Sequence, residues 1–309
     1  MSPLVSVIMP AYNHERYVEQ SIRSVIAQDY ENIELVILND GSRDGTDAVI
    51  RALAPECERR FRRFEYISKA NEGVAITMNR GIDWCRGDFI SSISSDDAMK
   101  PEKVSVLLAA LQAAGEAAVL SYGDADFMDD RGIPVAIDAT GAIAAGPSAF
   151  TSFIALHLRD RDDVRLGENS FDYEVLLREN FLPGMAMMWR KEALEAVGCF
   201  TPGIAIEDWD LWLRLARRYR GVYVPAVVAT YRWHDSNTIK VASVKLLEGQ
   251  DFILRRELAH VWTNPRLRKL VARKICYVAR ELCRRGRWSY MSRWFNPWIV
   301  LPAYLPAKM

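Results

Sequence analysis

The chain has 309 residues, half of them hydrophobic, which is enough for one large α/β domain with an appendage or for two ordinary domains. Such a composition excludes wholesale disorder. Its 40 basic and 40 acidic residues give a formal net charge of zero, but their distribution is uneven. Residues 255–293 contain twelve Lys or Arg and only two Glu, so a mildly acidic body precedes a strongly basic C-terminal segment.

The five cysteines contain no CxxC pair, so we expect reduced, mostly buried thiols in a cytoplasmic protein rather than a zinc site or a disulfide framework. The opening residues, MSPLVSVIMPAYN, do not have the basic and apolar regions of a signal peptide. No run approaches the roughly eighteen apolar residues that a spanning helix needs. We therefore expect any membrane contact to be peripheral.

The first 125 residues alternate between strand and helix patterns. Short continuous apolar runs at 4–9 and 33–38 predict parallel strands that are covered on both faces. Val18, Ile22 and Val25 between them recur at helical spacing. Further strands are predicted at 64–68, 88–93 and 117–122, with a helix at 74–84 between the first two. This order predicts an α/β fold with an open, doubly wound, mostly parallel sheet, whose ligand site lies beyond the C-terminal ends of the strands.

The second half of the chain has a weaker pattern, especially between residues 136 and 183. Strand candidates at 184–190 and 221–234 flank predicted helices at 191–197 and 208–219. After residue 243 the pattern is helical, with an interruption near Asn264 and Pro265.

Acidic residues follow two of the predicted parallel strands. Asp40 follows the second strand, and Asp96 and Asp97 follow the strand at 88–93. Because the C-terminal ends of parallel strands share one edge, we expect all three carboxylates to reach one crevice. The chain has no glycine-rich phosphate loop after its first strand, so a divalent cation is the better explanation of paired aspartates. The alternative is that Asp96 and Asp97 are solvated turn residues or a helix cap.

A second acidic group lies at the start of the predicted helix at 208–219. Glu207, Asp208 and Asp210 precede or begin a tryptophan-rich amphipathic helix. Acids favour a helix N-terminus through the helix dipole, but three exceed what capping requires, and one of them could act as a general base. His234 ends the last predicted strand; a lone histidine is usually structural, whereas a neighbouring metal would make it a candidate ligand.

With these segments in order, the chain resembles family 2 glycosyltransferases of the GT-A fold over residues 4–240. The resemblance rests on five segments in the family's order. They are VSVIMPAYN through NDGS (5–42), NEGVAITMNRGIDWCRGDFISSISSDD (71–97), LPGMAMMWRKEALEAVGCF (182–200), IEDWDLWLRLA (206–216) and YRWHDSN (231–237).

The resemblance implies a role for each matching residue. Asp96 would contact the ribose or diphosphate, Asp97 would coordinate Mn²⁺ or Mg²⁺, and His234 would face the metal or diphosphate. Asp208 would be the general base, with Glu207 beside it. The implied nucleotide-sugar contacts are Pro10, Ala11, Tyr12, Asn13, Asp40 and Asn71, with Asp40 on the base.

Three positions depart from the family pattern. Asn39 stands where an acid is common, and this change should matter little if Asp40 contacts the base. Ser94 also stands where an acid is common, which leaves Asp97 as the expected metal ligand. Met78 stands where an arginine is frequent, and Arg80 is the expected substitute for its phosphate contact.

The resemblance implies an inverting, metal-dependent transfer of a sugar from a UDP- or dTDP-linked donor to a hydroxyl of an acceptor. The acceptor would be a glycan or a polyprenyl-diphosphate-linked sugar in O-antigen or lipopolysaccharide synthesis. Likeness to rhamnosyltransferase-like members favours dTDP-rhamnose, with UDP-galactose, UDP-N-acetylglucosamine and UDP-glucose open. The alternatives are a catalytically silent nucleotide-sugar-binding module and a nucleotidyltransferase.

The expected organisation is a GT-A domain at 1–242, with a nucleotide-binding half at 1–125 and an acceptor-binding half at 126–242, then a helical extension at 243–309.

The C-terminal extension combines arginines with aromatic residues after residue 283. This mixture is typical of an anionic membrane interface, so we expect peripheral attachment to the inner face of the cytoplasmic membrane. The alternative is that the aromatics pack on the catalytic domain. No feature other than charge favours nucleic-acid binding.

Overall fold

The computed structural model describes residues 2–241, 243–296 and 299. Its strands are β1 (Val5–Ala11), β2 (Ile33–Asp40), β3 (Arg63–Lys69), β4 (Phe89–Ser92), β5 (Ala98–Met99), β6 (Ala118–Met128), β7 (Pro134–Ile137), β8 (Ile143–Ala144), β9 (Met187–Arg190) and β10 (Arg220–Arg232).

The helices are α1 (Val18–Ile26), α2 (Thr46–Arg60), α3 (Val74–Trp84), α4 (Lys103–Ala113), α5 (Phe153–His157), α6 (Tyr173–Arg178), α7 (Lys191–Ala196), α8 (Glu207–Ala216), α9 (Thr238–Val241), α10 (Ser243–His260) and α11 (Pro265–Arg284). Short 3₁₀ helices span Gly184–Ala186 and Trp288–Phe295. The helix α11 begins with Asn264, whose side chain accepts a hydrogen bond from the Leu267 N–H, and with Pro265 in its first turn.

The strands form one mixed sheet in the order β3-β2-β1-β4-β9-β6-β10-β5, and the β7–β8 hairpin extends from β6. The half β3-β2-β1-β4 is parallel throughout, as predicted from its continuous apolar runs. Strand β9 lies antiparallel between β4 and β6, and β6 is parallel to β10. The sheet is therefore mostly parallel, with β9 reversed between its two halves and β5 antiparallel to β10 at one end of the order.

Two large hydrophobic clusters cover the sheet. One contains α1, α2 and α4 packed on β1 and β2, with Val18, Ile22 and Val25 fully buried as the helical spacing predicted. The other contains α3, α6 and α8, and there the rings of Trp189 and Trp212 stack at 5.7 Å. Helices α10 and α11 contribute to the second cluster through buried residues that include Leu254, Val271 and Ile275. The C-terminal helices thus share a core with the strands and helices that precede them.

All five cysteines are free thiols, and Cys57, Cys85 and Cys276 are buried. Burial raises the pKa of both Cys57 and Cys85 to about 12. Within the described residues, no helix combines the length and the apolar character needed to cross a membrane.

Candidate active site

A cavity of about 1550 Å³ opens beyond the C-terminal ends of β1, β2 and β4. Its floor comes from the loops that follow these three strands, as expected for a doubly wound sheet. The opposite wall comes from α6, the start of α8, and α10 and α11. Asp40, Asp96 and Asp97 all line this one cavity, together with Glu207 and Asp208.

The loop after β1 has a constrained backbone at Asn13, whose φ is +54°. Asparagine is among the few residues that adopt this left-handed conformation readily. The Asn13 N–H donates to Ser42 Oγ at 2.9 Å, and its side-chain oxygen accepts from the Arg43 N–H at 2.8 Å. These bonds tie the loop after β1 to the loop after β2. The neighbouring Tyr12 is left 43% exposed at the cavity, and Pro10 and Ala11 line it as well.

Asp40 ends β2 with its carboxylate in a set of donors. It accepts hydrogen bonds from the N–H groups of Glu72 and Gly73, both at 2.9 Å, and pairs with the Lys69 ammonium. Burial opposes ionisation of Asp40, but the Lys69 and backbone donors outweigh it and lower its pKa. Asn71 donates to the Asp40 carbonyl at 2.9 Å, so both residues are fixed at the same edge of the cavity.

Two histidines and one aspartate bring their possible ligand atoms within 4.8 Å of one another: His14, Asp96 and His234. His234 Nε2 lies 3.2 Å from Asp96 Oδ2, and His14 Nε2 lies 3.7 Å from the same oxygen. The opposite ring nitrogens are held by hydroxyls, His14 Nδ1 by Ser95 and His234 Nδ1 by Ser236, each at 2.8 Å. Two oriented imidazoles and a carboxylate form a donor set that suits a divalent transition-metal ion.

The electrostatics of Asp96 and His14 favour the deprotonated forms of these two residues. Burial would raise the pKa of Asp96, but the His234 hydrogen bond and the nearby His14 lower it. Burial also lowers the pKa of His14, although the Asp96 charge opposes this. A neutral imidazole and an ionised carboxylate are the states that bind a metal.

Asp97 has different partners from Asp96. Its Oδ1 accepts the Arg232 N–H at 2.9 Å, its carbonyl accepts from the Ser21 hydroxyl, and its side chain is buried. Burial and the Asp96 charge raise the pKa of Asp97 well above its usual range. Among the described residues, the ligand atoms that lie within 4.8 Å of one another include Asp96 and not Asp97, so the geometry favours Asp96 as a metal ligand, and the ligand role that the resemblance implies for Asp97 stays a prediction.

Arg232 is a supporting residue that the sequence did not suggest. Its buried guanidinium donates to the carbonyls of Asp96 and Asp129 and to Gln20 Oε1, and it lies over the Tyr17 ring at 4.7 Å. These contacts fix the backbone of the Asp96–Asp97 turn against β10 and α1. The sequence also does not indicate His14 as a metal ligand, because the pattern of its segment implies only nucleoside contacts.

Glu207 and Asp208 begin α8 on the far side of the cavity. Asn180 Nδ2 lies 3.3 Å from Asp208 Oδ1, and the Trp209 indole donates to the Leu176 carbonyl, which anchors the helix start on α6. Burial raises the pKa of Asp208, and burial together with the Asp208 charge raises the pKa of Glu207 to about 8. Two adjacent carboxylates with raised pKa values at a cavity wall are candidates for proton transfer.

The third acid of this segment, Asp210, has a structural position. It is fully buried, bonds the Thr201 hydroxyl at 2.7 Å, and pairs with Arg214 on its own helix and with Arg256 on α10. Arg80 lies outside the cavity lining. Its guanidinium pairs with Glu72 at 2.8 Å, so the structure does not bring the expected phosphate contact into the site.

Two solved structures with the same fold are complexes with nucleotide sugars. The mannosyltransferase PcManGT from Pyrobaculum calidifontis, solved with GDP-Man and Mn²⁺, superposes with a TM-score of 0.59 at 15% identity, covering 98% of this chain and 86% of that one. S. aureus TarS 1–349 in complex with UDP-GlcNAc gives a TM-score of 0.57 at 15% identity, covering 94% and 72%. With its curled, mostly parallel sheet, the chain has the GT-A fold, as the sequence predicted.

The chain belongs to glycosyl transferase family 2, whose family model matches residues 6–198. An uncharacterized glycosyltransferase of Haemophilus influenzae is 33% identical over 211 residues, covering 68% of this chain and 71% of the relative. One from Rickettsia typhi is 26% identical over 250 residues, covering 80% and 69%. Another from Rickettsia felis is longer, and the chain spans only 36% of its length.

Proposed function

We propose that the chain transfers a hexosyl or deoxyhexosyl group, with inversion, from a UDP- or dTDP-linked sugar to a hydroxyl of a glycan or polyprenyl-diphosphate-linked acceptor. One observation carries the proposal. A single cavity has His14 and Asp96 on its floor and Asp208 on its opposite wall, and the buried His234 contacts Asp96. Family membership and nucleotide-sugar complexes of proteins with the same fold support a transferase of this class.

The donor is assigned to the loops after β1 and β2. Tyr12 offers an exposed ring face, and Asp40 is held in place by its donors beside Asn71. We assign the nucleoside to these residues and the diphosphate to the neighbourhood of Asp96. This arrangement leaves the sugar pointing toward α8.

A divalent cation fits the site through His14, Asp96 and His234. The donor set includes two imidazole nitrogens, which Mg²⁺ binds poorly, so Mn²⁺ is the expected ion. When bound, such an ion stabilises negative charge on a leaving diphosphate as a Lewis acid. Arg232 and the two serine hydroxyls hold the protein ligands in their orientation.

Asp208 is the proposed general base. As the acceptor oxygen forms its bond to the anomeric carbon, the hydroxyl proton passes to Asp208, and the bond to the diphosphate oxygen breaks with its electron pair on the leaving group. Attack from the face opposite the diphosphate inverts the anomeric configuration. Asn180 orients the Asp208 carboxylate for this transfer.

The test compares donor binding with turnover. Thermal stabilisation by a panel of nucleotide sugars with Mn²⁺ identifies the donor, since a ligand that binds only the folded state raises its stability. Asp208→Asn should keep this stabilisation and lose at least about 100-fold in transfer rate. Asp83→Asn, on the exposed face of α3, is the matched control. Equal turnover by Asp208→Asn and wild type would refute the base assignment, and binding without any turnover in wild type would favour the silent binding module.

We also propose peripheral contact with the inner face of a cytoplasmic membrane, in O-antigen or lipopolysaccharide synthesis. Trp288 is 66% exposed and Arg284 lies near it in sequence. Much of the aromatic segment, residues 297, 298 and 300–309, lies outside the described residues. Sedimentation with anionic vesicles should exceed that with neutral vesicles and fall with added salt. Equal sedimentation with both vesicle types would exclude this contact.

A further inference from the structure

Helix α11 presents different residues to the core and to the cavity. Its buried side includes Val271, Ile275 and Val278, which pack in the second hydrophobic cluster. Four other residues, spaced as one stripe of a helix, line the cavity instead: Leu270, Arg273, Lys274 and Tyr277. The family model ends at residue 198, so this wall is built by a part of the chain that lies beyond the family match.

The cationic residues that line the cavity lie on one side of it, where Glu179, Glu207 and Asp208 also lie. Among the described residues that line it, every Lys and Arg comes from α6, α10 or α11, and none comes from residues 10–97. We name these four residues the basic wall: Arg178, Lys245, Arg273 and Lys274. On the donor assignment above, the nucleotide diphosphate lies beside residues 10–97, so the basic wall is placed to meet a different anion.

The positive charges of two basic-wall residues are not fully neutralised by carboxylates of the described residues. Lys245 is exposed on α10, and among the described residues its ammonium has no carboxylate within 4.0 Å. Arg178 pairs with Glu174 at 3.0 Å, but Glu174 is shared with Arg266, so one carboxylate serves two guanidinium groups.

Lys274 is the most enclosed member of the basic wall. Its ammonium donates to the Arg178 carbonyl and lies 5.9 Å from the centre of the Trp209 ring. Burial lowers the pKa of Lys274; Glu179 opposes this, while Arg161 and Arg178 add to it. An anion bound here would relieve the unfavourable burial of that charge.

The basic wall adjoins the proposed general base. Arg178 is two residues from Asn180, whose amide contacts Asp208, and Lys274 lies over Trp209, the residue after Asp208. An anion on the basic wall is therefore next to the accepting hydroxyl. Tyr277, 55% exposed, and Leu270 continue the wall with apolar surface.

We propose that the basic wall binds phosphate oxygens of the acceptor, so that the accepting sugar is one attached directly to a phosphate or diphosphate. This inference rests on the proposed function, because it takes Asp208 as the base and residues 10–97 as the donor side. The adjacent apolar residues favour a phosphate that is linked to a lipid chain. Lysine and arginine side chains form charge-assisted hydrogen bonds to phosphate oxygens, and so these residue types suit the ligand.

The experiment measures binding of geranyl diphosphate, inorganic pyrophosphate and geraniol to the full chain in EDTA, with UDP as competitor. Geranyl diphosphate should bind, geraniol should bind at least tenfold more weakly, and UDP should not displace the diphosphate. Lys245→Gln and the double variant Lys245→Gln/Lys274→Gln should each weaken binding, the double variant at least tenfold. Lys269→Gln, on α11 but outside the cavity lining, is the matched control. Equal binding of pyrophosphate and geranyl diphosphate would identify the phosphate without a lipid as the ligand.

The proposal is overturned if neither diphosphate binds wild type at millimolar concentration, if both lysine variants bind like wild type, or if UDP displaces the probe. Unfolding midpoints of the variants establish that they are folded, and Lys245→Gln is the variant least able to disturb the core. Nucleotide-sugar stabilisation with Mn²⁺ is measured on the same preparations. If no nucleotide sugar stabilises wild type, the proposed donor site is refuted. Binding of geranyl diphosphate to the basic wall is measured independently, so it can hold or fail on its own.

Discussion

Asp96 and Asp97 show how two identical neighbours acquire different chemistry. Asp96 faces His14 and His234, while Asp97 turns toward the backbone of Arg232, a residue 135 positions later in the chain. Both acids follow a buried strand, and the family resemblance implies the metal-ligand role for Asp97, but no residue pattern shows which of the two side chains reaches the histidines. The difference depends on how β10 packs beside the turn, which is a long-range contact.

Exchange of each aspartate for asparagine separates their roles. Asp96→Asn should weaken Mn²⁺ binding by at least about tenfold, because it removes the charged oxygen between two imidazoles. Asp97→Asn keeps an acceptor for the Arg232 N–H and should bind Mn²⁺ within a few-fold of wild type. Titration of Mn²⁺ into both variants by calorimetry provides the measurement. The opposite pair of results would identify Asp97 as the metal ligand, which is the role that the family resemblance implies.

Glu207 should make stability depend on pH. Its pKa rises from 4.5 in a free side chain to about 8 in the folded protein, so between these values the folded state binds more protons than the unfolded state. The free energy of unfolding should therefore fall as pH rises from 5 to 8. The Asp208 shift has the same sign.

The Glu207 contribution is measured by urea unfolding at pH 5, 6, 7 and 8 for wild type and Glu207→Gln. The variant should show a shallower decline of the free energy of unfolding with pH, because the amide does not ionise. Parallel curves for the two proteins would mean that Glu207 has no such shift. Transfer activity should rise with pH as Asp208 loses its proton, since Asp208 must be deprotonated to act as a base.

At the scale of elements, the strands of the parallel half were predictable, whereas the direction of β9 was not. Continuous apolar runs identified β1 and β2 because both faces of these strands are covered. The run at 184–190 did predict a strand, but residue patterns do not encode direction, and β9 pairs antiparallel with two neighbours. The segment 136–183 was obscure because β7, β8 and α5 are each only two to five residues long.

The junction between α8 and α10 depends on Asp210. Asp210→Ala would remove the buried carboxylate that Arg214 and Arg256 share, leaving Arg256 with Glu257 alone, and should destabilise the fold by about 3 kcal/mol. Glu19→Ala removes an acid at the same i,i+4 spacing from Arg23, but that pair is largely exposed and should cost less than about 1 kcal/mol. Urea unfolding of both variants at pH 7 compares the two. Similar small losses would mean that the junction does not depend on the Asp210 charge.

At the scale of the whole molecule, the packing of the C-terminal helices bears on the domain boundary that the sequence predicts at residue 242. Leu254, Val271 and Ile275 pack in the same cluster as Trp209 and Trp212. A fragment ending at residue 242 would expose this apolar surface to water. The described helices therefore favour one folding unit over a separable extension.

Truncation tests this point directly. A fragment of residues 1–242 should lose the cooperative thermal transition of the full chain and bind hydrophobic dyes, because its second cluster is incomplete. The full chain under the same conditions is the control. A fragment with a cooperative transition near that of the full chain would support an independent domain at 1–242. Circular dichroism during heating is the measurement.

The three buried cysteines give the molecule internal reporters of local opening. Cys57 belongs to the cluster around α1 and α2, whereas Cys85 and Cys276 belong to the cluster that includes α3 and α11. A buried thiol whose pKa is near 12 forms almost no thiolate in the native state, so an alkylating reagent modifies it only when its surroundings open. The relative alkylation rates of Cys57, Cys85 and Cys276 would therefore reveal whether the two faces of the sheet open together or one before the other.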